Sequence, residues 1–158
     1  MNKIFVVAFV LAALLVASVP AFAAAETMTI HMHGFSAPPE ATIEPCSGRL
    51  GLLAITEGNG VFHVTVAANG SEHLTGTFEA KFTFVTGAVT YVGHFANWFG
   101  SNDNSSSEAD TATLNIHATG SDGSTVNTHL LMHVNVNSSG QINMFFQLSC
   151  PPGQPMRI

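Results

Sequence analysis

Two histidines placed two residues apart, His31 and His33, carry the clearest chemical possibility in this 158-residue chain. They lie in Thr27–His33 (TMTIHMH), where Met28, Ile30 and Met32 alternate with polar residues. In an extended strand, side chains two apart point to one face. Two imidazoles on one face could chelate a divalent metal such as zinc, given a third ligand from elsewhere in the fold. His63, His73, His94, His117, His129 and His133 are the remaining imidazoles able to supply it. The competing reading is a solvated polar face on a charge-poor strand.

Other residue types offer less. No G-x-S-x-G is present, and many serines fall in turn-like stretches, so nucleophilic catalysis has no recognisable constellation. Asp103, Asn104, Glu108 and Asp110 lie in or beside a polar run, Ser101–Ala109, but lack any calcium-loop spacing. That run has no apolar anchor and is expected to be a mobile loop. Beside it stand Trp98 and Phe99, with Tyr91 and Phe95 a few residues earlier. Aromatics next to a polar loop at one end of a β fold could line a ligand entry, and Tyr91, Phe95, Trp98 and Phe99 are the candidate ligand-binding residues. The alternative is that they plug a core.

These side chains need a frame, and alternation supplies one. From Thr111 to Cys150 three runs alternate apolar and polar residues, the signature of half-buried strands. Ser138-Ser139-Gly140 suits a three-residue hairpin loop with Gly in the left-handed region. That loop pairs Val136 with Ile142, Val134 with Met144, Met132 with Phe146 and Leu130 with Leu148. Ser121-Asp122-Gly123 allows the same loop, aligning Ala118 with Val126 and Leu114 with Leu130. Any shift by one residue would mix the faces. The same register sends His117, His129 and His133 outward. His129 and His133 then sit about 13 Å apart along one strand, too far to share a metal.

Earlier in the chain, Gly87-Ala88 fits a tight turn placing Phe84 opposite Tyr91, Phe82 opposite Gly93 and Ala80 opposite Phe95. Gly58-Asn59-Gly60 reads as another hairpin loop, between strands Arg49–Glu57 and Val61–Ala67. It would put Leu52, Ala54 and Thr56 inside, and Leu53 and Ile55 outside. Pro38, Pro39 and Pro45 mark a connection before it. Together these make about eight strands in hairpin order, with no helical pattern after residue 23. The expected fold is an all-β, antiparallel up-and-down barrel of about eight strands, with a two-sheet β-sandwich as the alternative. Phe62, Phe78, Phe82, Phe84, Tyr91, Phe95, Met132, Met144 and Phe146 would fill its interior. Outward Leu53, Ile55, Val85, Val92, Leu131 and Phe145 are candidates for a partner or self-association surface.

Lys3, the apolar run to Val19 and Ala21-Phe22-Ala23 form a secretory signal with an A-x-A cleavage site. Residues 1–23 are therefore expected to be removed, leaving 24–158 as one β domain without a membrane span. Arg49, Lys81 and Arg157 then face ten acids, a balance that argues against nucleic acid or an anionic membrane as partner. Cys46 and Cys150 are the two cysteines. In an exported protein they are expected to form a disulfide.

Three phrases, NGVFHVTVAANGSEHLTGTF (59–78), TYVGHFANWFGSNDN (90–104) and TGSDGSTVNTHLLMHVNVNSSGQI (119–142), resemble a group of small secreted bacterial proteins. That group is single-domain and all-β, with no known activity. The likeness covers most of the mature chain, and it implies export and a one-domain β fold.

The expected function is that of a secreted, non-enzymatic β-barrel binding a small apolar ligand or a protein partner, with self-association through its outward apolar residues. The alternatives are a barrel enzyme, with an isomerase-type cavity or a histidine-held divalent metal, and a structural envelope protein. No organic cofactor is expected.

Overall fold

A computed structural model describes residues 25–104 and 106–150. The expected signal, residues 1–23, lies outside the described residues. Those described form an all-β protein with seven antiparallel strands in one sheet, in sequence order from edge to edge. The strands are β1 (Glu26–Ile43), β2 (Leu50–Val66), β3 (Glu72–Thr86), β4 (Val89–Asn104), β5 (Ser107–Gly120), β6 (Thr125–Val136) and β7 (Ile142–Ser149).

The turns follow from local chemistry. Three of the six connections use one device, in which a residue donates its N–H across the loop and accepts from a glycine. These are Ala67 with Ser71 and Gly70, Gly120 with Ser124 and Gly123, and Asn137 with Gln141 and Gly140. The three glycines have φ of 80°, 81° and 76°, which L side chains rarely adopt. The expected registers hold: Val136 opposes Ile142, Met132 opposes Phe146, Leu114 opposes Leu130 and Phe84 opposes Tyr91.

The stretch from Gly58 to Gly60 is not a turn. It lies inside β2, a single 17-residue strand, so seven strands replace the expected eight. Both glycines point inward and are buried. A Cβ on Gly58 would lie 2.7 Å from Phe78 Cζ, and one on Gly60 3.0 Å from the Phe62 ring. Here glycine supplies flat floor for aromatic rings, not chain reversal. A register shift between Ile55 and Glu57 then inverts the facing of the earlier part of β2. Leu53 and Ile55 oppose Phe84 and Phe82 on the inner face, and Leu52 is exposed, the reverse of the expectation. Pro38 and Pro39 likewise lie within β1, carried through register shifts between Met32 and Glu40, while Pro45 does fall in the connection to β2.

The described residues of the polar run after Trp98 are not a mobile loop but belong to strands and a turn. Ser101–Asn104 ends β4, Ser107 begins β5, and Asn104 pairs with Ser107. Asn104 Oδ1 accepts the N–H groups of Ser106 and Ser107, each at 3.0 Å, doing in the turn what a backbone carbonyl would do.

Seven flat strands would hold the first and last about 29 Å apart, at about 4.8 Å per neighbour. Yet Cys46, in the β1–β2 turn, bonds Cys150, just past β7, with Cα atoms 5.6 Å apart. The sheet therefore curls on itself at that end. Cys46 is completely buried, its Sγ 3.2 Å from Thr128 Oγ1 on the inner face of β6. Glu44 holds this turn, its carboxylate accepting the N–H groups of Cys46 at 2.9 Å and Ser47 at 2.6 Å. The curl does not become a hydrogen-bonded barrel, since β1 and β7 remain the two edges of the sheet.

Candidate functional site

Inner-face rungs, read from one end of the roll to the other, give the site its setting. At the disulfide end, Phe82, Phe84, Tyr91, Ala118 and Val126 form the main buried cluster, and Cys46, Leu130 and Leu148 a second one. Phe rings continue the packing: Phe78 and Phe82 lie 5.8 and 6.1 Å from Phe95, centroid to centroid. The opposite end is different. The terminal rung runs Glu26, Val66, Glu72, Asp103, Glu108, Val136 and Ile142. Asp110 stands one rung further in, opposite Ser101 and Val134. The roll is thus packed at one end and rimmed with carboxylates at the other.

The rim is electrostatically loaded. Burial holds the Glu108 carboxyl above its ordinary range, reinforced by the charges of Asp110 and Asp103. Asp110 Oδ1 is buried with no hydrogen-bond partner among the described residues. The described residues contain no group of three or more His, Cys, Asp or Glu able to hold a metal, so the acids here form no cation cage.

The aromatic candidates separate. Tyr91, Phe95 and Phe99 face inward, with Phe99 5.7 Å from Phe62. Tyr91 is buried and its hydroxyl hydrogen-bonds Ser124 Oγ at 2.9 Å, pinning the β5–β6 turn to the core. Trp98 points the other way, opposite Thr77 and Thr113 on the outer face, and is 45% exposed. It is adjacent to Phe99 in a strand, and period-two geometry must put neighbours on opposite faces. The four residues therefore do not form one pocket. Phe95 and Tyr91 belong to the packed half.

His31 and His33 share the outer face of β1, rings 6.2 Å apart and nearly parallel. His31 opposes Val61, which brings no further ligand to them. His117 opposes Asn127, His129 opposes Asn115, and His133 opposes Thr111 and Phe145, as the register requires.

The least expected feature is β7. Ile142, Met144 and Phe146 face inward yet are 66%, 69% and 45% exposed, and Phe145 on the other face is 51% exposed. In β3, β4 and β5 inward residues are covered by strands on both sides. In β7 they have β6 alone among the described strands, because β7 is an edge of the sheet. Strand alternation identified their facing correctly. Their exposure depends on whether the sheet closes, which no local pattern encodes. Comparison with protein-family models, with curated proteins and with solved structures finds no match.

Proposed function

We propose that this chain is an exported, non-enzymatic binding domain that accepts an extended segment of a protein partner along β7. The observation carrying this reading is the exposure of Ile142, Met144, Phe145 and Phe146 on one strand edge. Strand direction supports it. With seven meandering strands, β1 and β7 run parallel, so direct closure would need a lone parallel pair in an antiparallel sheet. One added strand, antiparallel to both, makes a consistent eight-stranded barrel.

The two edges also differ. β1 carries Pro38, Pro39 and three register shifts, devices that blunt an edge. β7 reads INMFFQLS, with no proline and no charge. Addition of a strand uses main-chain hydrogen bonds for affinity and alternate side chains for specificity. The fitting partner is an extended segment, apolar at alternate positions to meet Ile142, Met144 and Phe146. Its C-terminal end would reach the carboxylate rim, where a lysine or arginine suits Glu72, Asp103 and Glu108.

The test is titration of the isotope-labelled mature protein with an eight-residue peptide of alternating valine and threonine ending in lysine. The reading predicts amide shift changes concentrated in β7, lost in Met144→Lys. Changes spread over the surface, or none at millimolar peptide with a monomer by light scattering, would overturn it. A dimer joined through the same β7 amides would identify a second copy as the strand donor.

A further inference from the structure

The eight histidines fall into two groups. In four, Nδ1 is hydrogen-bonded to a polar side chain on the neighbouring strand: His63 to Thr29, His73 to Asn102, His129 to Asn115 and His133 to Thr111. The other four have no such partner among the described residues, and they are the ones that meet in ring pairs. These are His31 with His33 and His94 with His117, the latter with centroids 5.4 Å apart.

The His94–His117 pair is the better chelate. The two residues are direct cross-strand partners on β4 and β5, in the middle of the sheet and in unbroken register. Cβ atoms so placed are about 5 Å apart. Both side chains are exposed on the outer face, so their rings can turn between staggered wells without disturbing the core. A shallow open depression of about 410 Å³ lies over them, bordered by Val92, Thr119 and Asn127. His31 and His33, by contrast, follow one another on an edge strand whose register breaks after Met32.

The surroundings suit a cation. The pair lies on one rung, Glu57–Lys81–His94–His117–Asn127. Lys81, the adjacent positive charge, is held by Glu57 at 2.8 Å and so turned toward β2. Glu79 on β3 and His129 on β6 are the remaining titratable groups on the outer face diagonal to the pair. Two neutral imidazoles with water completing the sphere form a borderline-soft nitrogen site, for which Cu(II) is bound ahead of Ni(II) or Zn(II).

We propose that His94 and His117 form a two-imidazole site for a divalent transition ion, Cu(II) foremost. The site is separate from the β7 edge and does not depend on the strand-addition reading. Because imidazole binds a metal only through an unprotonated nitrogen, binding is weaker in acid.

The experiment uses the untagged, oxidised mature protein titrated with Cu(II), read by electron paramagnetic resonance and by histidine NMR signals. The site predicts one tight equivalent with two-nitrogen coupling, broadening His94 and His117 first. Either His94→Ala or His117→Ala should weaken binding by about tenfold or more, as loss of one of two ligands requires. Circular dichroism verifies that each variant is folded, and His117→Gln provides a second substitution of similar size. His31→Ala should leave the affinity unchanged. Equal affinity in folded His94→Ala or His117→Gln, loss in His31→Ala instead, or no saturable binding would overturn the proposal.

Discussion

At the scale of single residues, Glu108 and Gly58 carry opposite lessons. Glu108 is held above its ordinary carboxyl range by burial and by Asp110 and Asp103. A carboxyl whose folded value is raised favours the folded state while protonated, and that stability is lost as pH rises through the folded value. Glu108→Gln should therefore raise the melting temperature at pH 7 and leave it unchanged below the ordinary carboxylate range. Differential scanning calorimetry at the two pH values checks the sign. Gly58 is buried against Phe78 in a strand. Gly58→Ala should destabilise by about 1–3 kcal/mol through overpacking, measured by urea unfolding. A turn glycine at that position would instead leave the Phe78 environment, followed by NMR, unchanged. The sequence held a clue, since Gly58, Gly60, Phe62, Val64 and Val66 continue one period-two series without a break. Turn chemistry outweighed it because two glycines around an asparagine look the same in a loop and on a flat inner face.

At the scale of elements, the hairpins around Gly123 and Gly140 were legible because three constraints agreed. Loop length, glycine position and facing of the apolar residues each demanded the same register. The first half of β2 was not legible, because one extra residue near Thr56 inverts every facing before it. The histidine pairing of β4 with β5 required the register of two strands joined across the Ser101–Ala109 run, which lacked an apolar anchor to set it. For β7, exposure predicts tolerance. Met144→Lys places a charge on a side chain already 69% exposed. It should change unfolding stability by no more than about 0.5 kcal/mol, by chemical denaturation, while abolishing uptake of the test peptide. The same substitution at an inward core position such as Phe82 would be severe.

At the scale of the whole molecule, the curl rests on one covalent tie. The Cys46–Cys150 bridge closes a loop of 104 residues, for which chain entropy gives about 4–5 kcal/mol. It also carries the buried seal over Thr128. Cys46→Ser with Cys150→Ser should lower stability by that order and raise proteolysis first at the β1–β2 turn, followed by mass spectrometry. The pairing was readable because the chain has two cysteines and its N-terminal residues lead one to expect export. Whether the sheet closes was not, because closure depends on a strand count that the β2 glycines obscured.

Whether the β7 edge is uncovered can be read from amide hydrogen exchange on the isolated, oxidised protein lacking residues 1–23. The account predicts alternation within β7: amides bonded to β6 are protected, and those pointing away from it exchange freely, while β3, β4 and β5 are protected throughout. Addition of a strand-forming peptide should then protect the free set. Uniform protection of β7 at the level of β4, in a monomer without partner, would mean that the edge is already covered and would contradict it.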